Sequence, residues 1–138
     1  MSLFACASTR PATLGIRDGR LGDCPSTPNC VSSDASDASH SIAALRLVRP
    51  ADESWRAAVA MVENWPRVKL VIQRDDYLHA ECRSRVFGFV DDLELHLRAA
   101  ENIIAVRSAA RLGHSDFGVN RRRVEALRAA LQAQGIVR

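Results

Sequence analysis

The hydrophobic and polar positions divide the chain near residue 41. Gly, Pro, Ser, Thr and Asp dominate residues 1–41, and Gly15, Gly19 and Gly22 punctuate them. No apolar period is sustained there, which predicts an extended N-terminal arm with turns. Ser32 to Ser39 reads as a flexible polar run. Periodicity begins after it, and residues 42–138 read as a single domain. Trp55, Ala58, Val59 and Val62 fall on one helical stripe behind Pro50, Asp52 and Glu53, and Pro66 stops that helix. Four strand patterns follow. Val68–Gln73 is rich in β-branched residues. Tyr77–Arg83 alternates, with Leu78, Ala80 and Cys82 opposite Tyr77, His79, Glu81 and Arg83. Phe87–Leu97 places Phe87, Phe89, Leu93, Leu95 and Leu97 on one parity and Asp92, Glu94 and His96 on the other. Asn102–Arg111 sends Ile104 and Val106 one way and Ile103, Ala105, Arg107 and Arg111 the other. A last helix runs from Phe117 to Gln134, with Asp116 as N-cap, Val124, Leu127 and Leu131 as its buried stripe, and Gly135 at its exit. Connections this short force antiparallel neighbours. The pattern predicts an α+β fold: a four-stranded antiparallel sheet with two helices on one face, the second face polar, wet or sealed by the arm.

Composition narrows the class. With 47% hydrophobic residues in 138, the chain suits one core and excludes collagen-like and coiled-coil architectures. No stretch reaches the roughly 18 consecutive apolar residues of a membrane span. The net charge is +3, and the positive excess lies in residues 98–138. That is small for phosphate tracking, and most of the few aromatic residues read as core, so nucleic acid is not an expected partner.

The cysteines point to a compartment. Cys6, between Phe4-Ala5 and Ala7-Ser8, is similar to the cut end of a bacterial lipoprotein signal, in which the cysteine becomes the lipidated first residue. This implies a leader replaced by Met1-Ser2-Leu3, a periplasmic domain anchored by acylated Cys6, and membrane contact through that anchor alone. Cys24 and Cys30 bracket Pro25-Ser26-Thr27-Pro28-Asn29, a stiff turn-forming loop that a disulfide would close for about 2 kcal/mol. Free thiols remain an alternative, as does a metal site, although no Cys-x-x-Cys or His pair lies nearby to complete one. Cys82 reads as a small buried hydrophobe.

Three separated stretches carry a resemblance. Leu21-Gly22-Asp23-Cys24-Pro25-Ser26-Thr27-Pro28-Asn29-Cys30-Val31-Ser32-Ser33, then Gly88-Phe89-Val90-Asp91-Asp92-Leu93-Glu94, then Val106-Arg107 through Asn120-Arg121-Arg122-Arg123-Val124 resemble a bacterial and plastid family, domain of unknown function 1499, over residues 14–132. Ala110 and His114 depart from the serine and tyrosine more usual there. The resemblance implies no activity or cofactor; it does imply export, since many relatives carry export signals.

Two constellations invite chemistry. Strand alternation puts Asp92, Glu94 and His96 on one side with His79 and Glu81, which suits a metal-assisted hydrolase-like site or a polar face paired with arginines. Arg107, Ser108, Arg111, Ser115, Asp116, Asn120, Arg121 and Arg123 surround the turn before the last helix. Backbone N–H groups and guanidinium forks there would hold a carboxylate or phosphate. The leading expectation is a non-enzymatic envelope module binding a small anionic ligand or a protein partner. Its site is Arg107, Ser108, Arg111, Asp116, Asn120 and Arg121, bordered by Asp92 and Glu94, without a metal or cofactor. The alternatives are the hydrolase-like enzyme and a purely structural domain. A Cys30–His40 nucleophile pair is a further, weaker option.

Overall fold

A computed structural model describes residues 9–113 and 115–138. The arm contains a two-stranded ribbon, β1 (Ile16–Arg17) with β2 (Arg20–Leu21), and then β3 (Cys30–Ser32). After β4 (Leu45–Arg46) come helix α1 (Ala51–Glu63), strands β5 (Val68–Gln73), β6 (Tyr77–Arg83), β7 (Val90–Arg98) and β8 (Ile103–Ala110), and helix α2 (Val119–Ala133). The main sheet is antiparallel in the order β3-β8-β7-β6-β5, with β4 also on the outer edge of β8. It has six strands rather than the four expected. The two extra strands are two and three residues long, too short for an alternating pattern to be visible, and they form because β8 offers them a free edge. The Ser32–Ser39 run is also bound to the sheet: Ser33 Oγ accepts from the Val106 N–H at 2.9 Å.

The apolar parity of β6, β7 and β8 forms the core with the helices. Leu78, Ala80, Leu93, Leu95, Ile104 and Val106 pack against Ala58, Val59 and Val62 of α1 and Val124, Leu127 and Leu131 of α2. Fully burying one such leucine or valine contributes roughly 1.5–3 kcal/mol, so the apolar stripes hold both helices on this face. Among the described residues no helix is long and apolar enough to cross a membrane.

The arm lies across the opposite, polar face. Gly15 donates its N–H to Glu94 Oε2 at 2.8 Å, and Arg10 Nε reaches Glu81 Oε2 at 3.1 Å. Asp34 ties the arm to the sheet end: it accepts the Leu21 N–H at 2.9 Å and both terminal nitrogens of Arg98. At Gly22 the arm crosses itself so closely that a Cβ would stand 2.3 Å from the Thr13 carbonyl oxygen, a space only glycine leaves.

Candidate functional site

The polar parity of the sheet brings Asp92, Glu94, Arg107 and Arg111 together as strand alternation requires, with Glu94 opposite Arg107 and Asp92 opposite Glu81. Their partners are internal. Arg107, 2% exposed, donates from Nη1 to Glu94 Oε1 at 3.3 Å and from Nη2 to the Asp23 carbonyl at 3.0 Å. Its Nε has no hydrogen-bond partner among the described residues. Glu94 also accepts the Tyr77 hydroxyl at 2.5 Å, and burial then Glu94's charge drive the Tyr77 phenol far above its ordinary value. Arg111 grips Asp92 through Nε at 2.8 Å and Nη2 at 2.7 Å and reaches Glu81 at 2.6 Å, while His79 Nε2 lies 2.6 Å from Asp92 Oδ1. Burial raises the Asp92 carboxyl, but the hydrogen bonds from Arg111 and His79 outweigh it and leave it below its usual range. Among the described residues no three His, Cys, Asp or Glu side chains gather as a metal ion needs.

Ser108, Asp116 and Asn120 lie apart from this set, so the expected site divides across the sheet. Ser108 follows Arg107 and therefore faces the helices. Its hydroxyl donates to Asn120 Oδ1 at 2.6 Å, and Arg123 bridges Asn120 Oδ1 at 2.7 Å and Asp91 Oδ2 at 2.8 Å. Asp116 is not the N-cap residue, a position Gly118 holds in a left-handed conformation with φ 81°. Its carboxylate nevertheless takes the N–H groups of Gly118 at 2.8 Å and Asn120 at 2.9 Å, so the positive end of α2 already carries an anion. Burial raises that carboxyl, and the bonds from Asn120 and Gly118 bring it below its ordinary value. Arg121 stands outside both groups, donating to the carbonyls of Ser41 and Ser39 at 3.1 and 3.4 Å. Cys24 and Cys30 form a disulfide with Cα atoms 5.6 Å apart. Cys30 is therefore no free nucleophile, and His40 lies against Asp37 and the Thr27 carbonyl. Asn29 links this loop to the turn before α2, its amide donating to the Gly113 carbonyl at 2.7 Å, and to α2 itself, its carbonyl accepting the Asn120 amide at 3.3 Å. Cys6 and His114 lie outside the described residues.

The sequence pattern misses a cluster of exposed apolar rings. Extending the parity of β7 back to Phe87 would bury Phe87 and Phe89, but β7 starts at Val90 and both rings are exposed. Gly88 turns the chain with φ 67°, and Ser84 closes the loop by accepting the Phe89 N–H on its hydroxyl at 3.0 Å. Phe87 and Phe89 stack with centroids 5.5 Å apart. Phe117, expected inside α2, precedes it and is 87% exposed, in a left-handed conformation that costs a non-glycine residue about 1–2 kcal/mol. The three phenylalanines among the described residues thus all stand exposed, in two loops at one end of the sheet. With Leu112 and Val119 they border a cleft of about 360 Å³ floored by Asp91 and Asp116. The cue in the sequence is glycine beside phenylalanine, at Phe87-Gly88-Phe89 and Phe117-Gly118. A larger cleft, about 630 Å³, lies beside α1 among Asp52, Arg56, Arg74 and Asp75. Its Asp52–Arg56 pair is 3.5 Å apart and exposed, an ordinary solvated helix surface.

Residues 20–131 match the model of the family described as Protein of unknown function (DUF1499). No curated protein matches the chain, and no solved structure does.

Proposed function

The chain belongs to the DUF1499 family, whose description specifies no activity, and from that premise we propose a non-enzymatic binding module of the cell envelope, held at a membrane by acylated Cys6. The observation that carries this reading is where the open chemistry lies. The carboxylates and arginines of the polar sheet face are buried and bonded to one another beneath the arm, whereas the exposed end carries apolar rings around a cleft. A catalytic acid or base needs access to substrate, and buried Asp92, Glu94 and His79 have none. The same bonding argues against a small anion at Arg107 and Arg111, whose guanidinium groups already hold carboxylates. The Cys24–Cys30 disulfide supports an oxidising compartment such as the periplasm. The partner is therefore a hydrophobic surface presented in the envelope.

The test is expression from the native gene start in a Gram-negative host. Mass spectrometry of the N-terminal peptide is expected to find it starting at Cys6 with diacylglyceryl and amide-linked acyl groups, and C6S is expected to leave the membrane fraction. An unmodified Cys6 in a soluble chain contradicts the tether. A thermal-shift panel of carboxylates and phosphates is expected to give no response that R107A or R111A abolishes.

A further inference from the structure

We propose that the aromatic end of the domain docks directly on an anionic lipid bilayer, so that membrane contact does not rest on the acyl anchor alone. This deepens the tethered reading above and rests on it in one respect, the position of Cys6.

The surface has the composition an interfacial contact needs. Phe87 is 76% exposed, Val86 77% and Phe117 87%, with Phe89 and Leu112 beside them. Two loops hold these side chains outward, and the one before α2 does so at a conformational cost, since Phe117 is left-handed and is not part of the core. Exposed apolar groups concentrated this way on a small domain mark a binding surface, and loop-borne rings reach the headgroup–acyl boundary without a helix.

Charge selects the occupant. Arg85 is exposed on the hairpin with Arg83, whose Nη2 lies 4.0 Å from the buried Glu81, and exposed Arg122 follows the cleft on α2, its Nη1 2.8 Å from the Phe117 carbonyl. The acids of the cleft are turned inward: Asp91 holds Arg123, and Asp116 holds the first N–H groups of α2. The outward face of this end is therefore apolar rings flanked by cations, the complement of anionic headgroups over an acyl layer.

The tether is within reach of the same end. The described arm reaches Arg10 beside Glu81, two residues before the end of β6 and its aromatic hairpin. Cys6 is four residues earlier in the chain, at most about 14 Å of extended backbone away. An acyl chain at Cys6 and the rings of Phe87, Phe89 and Phe117 can enter one bilayer together, and two weak membrane signals on one face add where either alone is marginal.

The test is co-sedimentation of the 138-residue chain carrying C6S, and therefore unacylated, with phosphatidylglycerol-containing and pure phosphatidylcholine vesicles. Sedimentation with the anionic vesicles is expected to exceed that with the neutral ones and to weaken with salt. F87S/F89S/F117S is expected to lower partitioning about tenfold or more, as is R83Q/R85Q/R122Q. All six positions are exposed, and circular dichroism checks that both variants fold. No sedimentation with anionic vesicles overturns the proposal, as does sedimentation that the phenylalanine variant leaves unchanged. A concentration-dependent dimer that F87S/F89S/F117S dissolves, without lipid binding, also overturns it in favour of a second copy as occupant. Because the chain carries no acyl group, failure here is separate from failure to find Cys6 acylated.

Discussion

Arg107 and Ser108 adjoin in the chain and face opposite sides of the sheet: Arg107 points beneath the arm to Glu94, and Ser108 points beneath α2 to Asn120. Two polar networks result, back to back across β8. One fastens the arm to the sheet, and the other fixes the disulfide loop and the approach to α2. The first is sealed beneath the arm, the second meets the aromatic cleft only through Asp91 and Asp116, and together they position the two loops that carry the exposed rings.

Replacing Arg107 is a test of fastening against binding. R107M leaves Glu94 buried and short of its counter-charge, which is expected to cost about 3–5 kcal/mol. Thermal and urea unfolding are expected to show the loss, while vesicle binding of the folded fraction stays at the native level. Loss of binding without loss of stability would assign Arg107 to the binding surface instead.

Asn120 joins Ser108, Asp116, Arg123 and the Asn29 carbonyl from a fully buried position. N120A leaves several of these groups unpartnered, at roughly 1–3 kcal/mol for each one that stays dry. The expected result is a lower urea midpoint, with faster amide exchange in residues 111–118 than in β5 and β6. Uniform exchange throughout would contradict a local role.

Reducing the Cys24–Cys30 bond, or C24S/C30S, is expected to lower stability by about 2 kcal/mol, since the closed loop is short. Urea unfolding with and without reductant measures it. Equal midpoints would mean that Asn29 and β3 alone hold the loop.

Acid should loosen the arm. Burial raises Asp92, Glu81 and Asp34, but bonds from Arg111 and His79, from Arg111 and Arg10, and from Arg98 and the Leu21 N–H bring them below their ordinary 3.8, 4.5 and 3.8. Their stabilisation is complete above about pH 5 and is lost as pH falls through the folded-state values. Asp91, raised by burial against the pull of Arg123, acts in the opposite sense and offsets part of the loss. Near neutrality His40, raised by its bond to the Thr27 carbonyl, and His96, lowered by burial, also oppose each other. The Tm is expected to change little from about pH 7 to 5 and to fall steeply below about pH 4. Calorimetry showing a level Tm through that lower range would remove the carboxylate account.

The core strands and both helices were legible because their periods are long. Leu78, Leu93, Ile104 and Leu127 fall where 2.0 and 3.6 residue repeats put them, and the carboxylates and arginines of the far face follow from the same alternation. The short strands β3 and β4 carry too few residues to show a period. Parity misplaces the aromatic end for a related reason: it cannot show where a strand stops, and Gly88 ends the alternation that Phe87 and Phe89 extend on paper. The shared turn groups Asn120 with Arg107, but Asn120 sits on α2 and bonds Ser108, which parity on β8 places on the face opposite Arg107.

Hydrogen–deuterium exchange of the unacylated chain, with and without phosphatidylglycerol vesicles, tests the central claim most directly. Lipid is expected to slow exchange at residues 85–89 and 111–118 and to leave β5 and the loop before α1 unchanged. Slowing confined to the arm or to α1, or no slowing anywhere under conditions where the chain sediments with vesicles, would contradict it.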